Sequence, residues 1–196
     1  MTKFPESVRA HTLLDGLHGI EIGASAHNGY HIPGCVYVDY TDDQTTTFKL
    51  AELEMCGETQ RVDVVAPAWD LPFDSSSLEY VLSSHVIEHC WDVIGTIEEW
   101  LRVLKPGGLI YMDIPHKERT FDSPRERTPV AELIARHAGP PLEVDDHGHH
   151  SVWVTEDWAL LCAEMKWALE GLWGTDDKVG IGFTVVIRKP RHAVTD

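Results

Sequence analysis

The chain has 196 residues, 43% of them hydrophobic and 24% charged, which fits one soluble globular domain over 1–196. Its 32 acidic residues against 16 basic ones give a formal net charge of -16. Such a surface repels phosphate backbones and anionic bilayers, so neither nucleic acid nor membrane is expected as a partner. The four cysteines, Cys35, Cys56, Cys90 and Cys162, show no CxxC pair, which argues against a zinc finger and a disulfide framework. Reduced cysteines, an N-terminus without an apolar run and no stretch of roughly 20 apolar residues point to a cytoplasmic chain.

Short β-rich runs alternate with longer helical ones, which predicts βαβ units around a mostly parallel sheet. Residues 6–15 read as a short helix closed by Gly16, and His18–Ile22 as a first strand ending in Gly23. Residues 24–34, with two glycines and a proline, read as a loop. A strand follows over Cys35–Asp39, then a helix over Thr45–Cys56 with Phe48, Leu50, Leu53 and Met55 available for packing. Arg61–Ala66 is a third strand and 67–74 a loop. Leu78–Ser83 is a fourth strand. The helix after it carries Val93, Ile97, Leu101 and Leu104 on one face and stops at Lys105-Pro106-Gly107-Gly108. Leu109–Ile114 is a fifth strand. A short helix over 129–137, a His-rich loop over 139–151 and a helix over 156–165 capped by Thr155 come next. The last two strands, about 167–173 and 179–188, read as a hairpin with at least one antiparallel member.

Three stretches carry chemistry. The run GIEIGAS ends a strand in glycine, which lets a ligand approach the backbone. Asp39 closes the second strand 16 residues after Gly23, in range to accept hydrogen bonds from two ribose hydroxyls. The ordered series DLPFDSSSLEYVLSSHVIEH, LRVLKPGG and LIYMDIP is far more specific.

These segments resemble the class I methyltransferases, in particular the small-molecule enzymes with an LPF…SSHVIEH…LRVLKPGG signature, over roughly residues 17–120. The resemblance implies a Rossmann-like α/β fold: a seven-stranded, mostly parallel sheet with helices on both faces and the last strand antiparallel. It implies S-adenosylmethionine as cofactor and S-adenosylhomocysteine as product. Glu21, Gly23 and Ser25 would lie beside the methionine part, and Asp39 would bind the ribose. Ala68, Trp69 and Asp70 would flank the adenine, and Ser83, Ser84 and His85 would sit under the sulfur. Two departures stand out. GASAHNGYHIPG leaves no room for the usual helix after the first motif, so Asn28 would take over a cofactor contact. Pro67 stands where many relatives have an Asp for the adenine amino group. The absence of G-x-G-x-x-G argues against a nicotinamide-binding domain.

The cofactor half would cover about 16–115 and the substrate side about 116–165. Candidate general bases are His85, His116 and His150. Candidate substrate contacts are Arg119 and Arg125, which suit an anionic group, with His149 and Trp153. Asp145, Asp146, His147, His149 and His150 are also metal-ligand types, but the run reads as polar surface and no metal is assigned. The expected activity is methyl transfer to a small polar acceptor, a sugar or natural-product hydroxyl, by a monomer or homodimer. Two alternatives stand beside it: a metal-assisted O-methyltransferase using the Asp/His loop, and a non-catalytic cofactor-binding subunit.

Overall fold

The computed structural model describes residues 3–140 and 148–191. Seven strands form one sheet: β1 Gly19–Ile22, β2 Val36–Asp39, β3 Val64–Val65, β4 Leu78–Ser84, β5 Leu104–Pro115, β6 Ala168–Trp173 and β7 Gly182–Arg188. Their order across the sheet is β3-β2-β1-β4-β5-β7-β6. The first five pair in parallel, while β7 runs antiparallel to both its neighbours. The chain leaves β1 toward one edge and returns at β4 on the other side. The crevice beyond the carboxyl ends of β1 and β4 is therefore the topological switch point where α/β sheets bind ligands.

Among the described residues, five α-helices accompany the sheet: α1 Val8–Leu14, α2 Thr47–Cys56, α3 Val93–Val103, α4 Val130–Ala138 and α5 Thr155–Glu164. Asp92 caps α3 by accepting from the Gly95 N–H at 2.8 Å. The helical repeat then buries Val93, Ile94, Ile97, Trp100 and Val103. Successive strand residues face opposite sides of the sheet. Val81, Ile110 and Met112 pack with α3 and with Trp158 and Leu161 of α5. Tyr80, Leu82, Tyr111 and Val186 pack instead with Ala10 and Leu14 of α1.

The crossover from β1 to β2 is helix-free, as the sequence predicts. Tyr30 and Ile32 do the covering on the α1 face, both essentially inaccessible. The Tyr30 hydroxyl donates to Oδ2 of Asp113, a buried carboxyl on β5. Oδ1 of Asp113 accepts from the Thr184 hydroxyl at 2.5 Å, and Arg9 of α1 donates to Thr184 at 2.6 Å. Ser7 and the Arg9 backbone both donate to Asp177, at 2.6 and 2.9 Å, so α1 is locked to the segment before β7.

Three expectations are corrected. α2 turns Phe48, Leu50, Leu53 and Met55 outward, each about half exposed, and buries Lys49, Glu52 and Cys56. The cause is polar: Lys49 pairs with Glu52 at 3.1 Å, while Glu52 Oε1 accepts the backbone N–H groups of Ala26 and Gln60. Lys105–Gly108 lies within the β5 span, at a register shift opposite Leu78–Tyr80, rather than in a connecting loop. Thr155 begins α5 instead of capping it; Asp157 accepts the Val154 N–H at 2.9 Å and closes that end. The cysteines are free, and three of the four are buried. No described helix is long and apolar enough to cross a membrane.

Tyr30→Phe removes the only donor that the β1–β2 crossover supplies to Asp113 among the bonds described and leaves the ring in place. A loss of about 1–3 kcal/mol is expected, read as a lower urea midpoint with an unchanged slope.

Candidate active site at the carboxyl edge of the sheet

β1 delivers Glu21 and Gly23 to the switch point. Gly23 has φ +68°, and a Cβ there would lie 2.6 Å from Cγ2 of Val86, so conformation and space both require glycine. Its N–H donates to the Val38 carbonyl at 2.8 Å and joins the β1 turn to β2. Ser25 Oγ then lies 2.6 Å from His27 Nδ1, and the Asn28 N–H closes a turn onto the Ser25 carbonyl at 3.1 Å. Glu21 is 1% exposed, with Oε2 unpartnered among the described residues. Burial pushes its carboxyl up to about 8.

Asp39 ends β2. Its Oδ1 accepts the Tyr40 N–H at 2.8 Å, and Oδ2 faces Lys49 Nζ at 3.7 Å. Burial raises its pKa, against the pull of Lys49. Beyond β3, the Ala68 carbonyl accepts the Trp100 indole N–H at 2.7 Å, which fixes the loop on α3. The Asp70 N–H turns back to the Pro67 carbonyl at 3.2 Å, and Trp69 is 58% exposed. This loop therefore offers an aromatic face at the surface, while its Ala68 carbonyl is already engaged.

β4 carries buried Ser83 and Ser84 and ends at His85. His85 adopts φ +54°, a left-handed conformation that a β-carbon disfavours. Its Nε2 is buried without a partner among the described residues. Burial lowers its pKa to about 4, with His149, His89 and His27 adding repulsion and Asp176 opposing. The ring is thus neutral at physiological pH, and its unpartnered nitrogen marks where a polar ligand atom would be accommodated.

β5 ends at His116, 7% exposed, whose Nδ1 accepts the Glu118 N–H at 3.2 Å. Burial, then Arg119, lowers its pKa. A surface cleft of about 600 Å³ opens beside it, lined by His116, Lys117, Arg125, Arg127 and acidic Glu118, Glu126 and Glu156. Arg125 in that cleft donates to Asp122 at 2.8 Å. Arg119 donates to the carbonyls of Gly182 and Gly174 at 2.9 and 2.6 Å and to Thr175, bracing the turn before β7. Trp153 is 1% exposed and packs on Trp158 with centroids 5.5 Å apart, so it belongs to the core and not to a ligand wall. His149 bonds Asp122 through Nδ1 at 2.6 Å, and His150 packs edge-on against Trp91. Asp145, Asp146 and His147 lie outside the described residues.

The fold thus brings Glu21, Gly23, Asp39 and His85 to one edge. It also gathers groups that the sequence reading assigned no role. Asp113 is pushed up to about 7 by burial. Asp176 organises the turn before β7, with Oδ1 accepting from Lys178 N–H at 3.1 Å and Oδ2 from Gly182 N–H at 2.7 Å. Glu88, in the turn Ile87–His89 after His85, is fully buried. Its place in SSHVIEH was the only available signal.

The fit with S-adenosylmethionine is good: a glycine turn with no room for a side chain, an acid at the β2 end and a buried carboxyl oxygen without a donor. A family model described as a methyltransferase domain matches residues 28–112. A Mycobacterium tuberculosis protein named as a probable S-adenosylmethionine-dependent methyltransferase is 32% identical over 117 residues, 57% of this chain and 39% of that relative. The chain thus spans well under half the length of that curated relative. Among solved structures, a methyltransferase of Thermotoga maritima superposes with TM-score 0.58 at 16% identity, covering 92% of this chain and 86% of that one. One from Methanosarcina mazei gives 0.57 at 16% identity, covering 98% and 100%. The strand order agrees with the methyltransferase fold of these solved structures, and residues 28–112 match a methyltransferase-domain model.

Proposed function

We propose that this chain transfers the methyl group of S-adenosylmethionine to a hydroxyl of a small polar acceptor, a sugar or natural product with an anionic group among the candidates. The observation that carries the reading is the strained, neutral His85 at the switch point, its Nε2 buried and unpartnered. When bound, the cofactor supplies a methyl group already activated as a sulfonium. The chain's task is then to position the acceptor and receive a proton. His85 Nε2 would accept the hydroxyl proton as the oxygen attacks. Asp39 would hold the ribose, with Asp70 and the face of Trp69 flanking the adenine. Glu21 would face the cationic methionine part, with Ser25, Asn28, Ser83 and Ser84 around it. The cleft beside His116, with Arg125 and Arg127 on its wall, would receive the anionic end of the acceptor.

The histidines favour oxygen as the acceptor atom. The short segment 116–129 between β5 and α4, fourteen residues, favours a small acceptor. The intact Glu21, Asp39 and SSHVIEH stretch favours turnover over a non-catalytic binding subunit.

Calorimetry with S-adenosylhomocysteine is expected to show binding that falls at least about 10-fold in Asp39→Ala, the loss of a hydrogen-bonded pair to a carboxylate. Binding unchanged in that variant would remove Asp39 from the site. In His85→Gln, methyl transfer to the best acceptor of a hydroxy-compound panel is expected to drop about 100-fold or more. Homocysteine-product affinity should stay within about threefold in the same variant, consistent with a role in proton transfer and not in cofactor binding.

Glu21 gives the pH dependence. Its folded value near 8 is raised, so below that pH it is held protonated. A cationic ligand beside it favours the carboxylate, so binding releases a proton and affinity rises as pH climbs from about 6 toward 8, then levels. S-adenosylmethionine should show the rise more strongly than the homocysteine product, which lacks the sulfonium charge. Glu21→Gln should flatten both curves; a slope retained in that variant would assign the linkage to another group.

A further inference from the structure

Just outside the proposed methyl-transfer site, the turn after β4 and the segment before α5 bring together Glu88, His89 and His149. One ligand atom from each lies within 4.8 Å of the others. Glu88 Oε1 is 3.8 Å from Nε2 of His89 and 3.9 Å from Nε2 of His149. Glu88 is fully buried, and beyond its own backbone amide neither carboxylate oxygen meets a hydrogen-bond donor among the described residues. A buried carboxylate left in that state costs several kcal/mol unless a proton or a cation stands beside it.

Two imidazoles face that carboxylate. Nδ1 of His149 lies 2.6 Å from Asp122 Oδ2, and Nδ1 of His89 lies 3.1 Å from the Gly148 carbonyl. Both partners are acceptors, so each Nδ1 carries a hydrogen and each ring turns its Nε2 toward Glu88. A buried carboxylate with no donor among the described residues, faced by two imidazole nitrogens, is an arrangement that suits a cation. An acceptor on the far nitrogen of each ring is the arrangement that orients metal-bound histidines.

We propose that Glu88, His89 and His149 bind a divalent first-row transition ion, with Asp122 and the Gly148 carbonyl orienting the two imidazoles. Two neutral imidazoles and one carboxylate suit zinc, iron, cobalt or nickel, and calcium and magnesium poorly. Ligand atoms of a tetrahedral zinc site stand about 3.3 Å apart, from metal–ligand distances near 2.0–2.1 Å. The Glu88–imidazole separations of 3.8 and 3.9 Å exceed that by about half an ångström, and the whole set, within 4.8 Å, closes by up to about 1.5 Å through side-chain rotation when an ion binds. Three protein ligands leave a coordination position open. Two exposed aromatics flank the histidines: the Phe121 ring lies 4.8 Å from that of His149, and the Phe48 ring 6.0 Å from that of His89. The assignment moves the metal reading away from the Asp/His run, leaving only His149 in common, and it does not depend on the identity of the methyl acceptor.

The test is calorimetric titration of chelator-stripped, tag-free full chain with zinc chloride, and of the same protein with cobalt chloride by visible absorption. One equivalent is expected to bind at micromolar or tighter affinity, with the d–d bands of a low-coordinate cobalt site. Glu88→Gln and His149→Ala should each weaken binding about 100-fold or more, and Asp122→Asn about 10-fold or more. His137→Ala, whose ring pairs with Asp92 at 3.0 Å, should bind as the unchanged chain does. Glu88→Gln should also melt no lower than the parent without metal, because it replaces an unpartnered carboxyl with a neutral group. No stoichiometric binding overturns the assignment. So does binding that survives both Glu88→Gln and His149→Ala, which would place the ion elsewhere.

Discussion

The buried bond from Tyr30 to Asp113 is the contact on which this architecture rests. A β1–β2 crossover normally covers its sheet face with a helix, whose backbone satisfies itself. Here a loop does that work, so its backbone and side chains need outside partners. Tyr30 supplies both the apolar ring and the donor, and Asp113 accepts it together with Thr184. Arg9 then ties the same hydroxyl to α1. One buried carboxyl therefore joins the loop, the central strand β5, the antiparallel β7 and the N-terminal helix.

The loop's second anchor is Glu52, and it explains the inverted face of α2. Its Oε1 holds the Ala26 and Gln60 N–H groups, and its Oε2 holds Lys49. Burying these charges in place of Phe48, Leu50, Leu53 and Met55 is tolerable because each is paired. The loop that would contact the cofactor is thus held at two points after Gly23, at Ala26 and at Tyr30.

The parallel core was legible in the sequence because its signals are local and periodic. The apolar stripe of α3, the strand-ending Gly23 and the run VYVD each read correctly without tertiary information. The placement of Asp39 and His85 was legible for the same reason: they stand at or just after strand ends, and strand ends face the switch point. α2 was misread because its apolar residues are as frequent as in a buried helix, and the Lys49–Glu52 pair with the Ala26 and Gln60 N–H groups that Glu52 accepts decides which face turns in. Trp153 and Arg119 were misread in the same way. An indole and a guanidinium suit a ligand wall, yet core packing and the carbonyls of Gly174 and Gly182 claim them. Glu88 carried no signal beyond its motif, since its character comes from total burial and from His149, 61 positions away.

Lys49 links the structural and chemical roles. It lies 3.1 Å from Glu52 and 3.7 Å from Asp39, so its stronger attachment is to the carboxylate that anchors the loop. A ligand hydroxyl that engages Asp39 competes only with the longer contact and leaves Lys49 paired. The charge on Asp39 is nonetheless supported from behind, because the lysine opposes the burial that would otherwise raise its pKa further. An acid proposed to accept two hydroxyl hydrogens has to stay ionised where burial opposes its charge. A buried lysine held in place by a second acid is a way to achieve this without forming a contact so tight that the ligand could not enter.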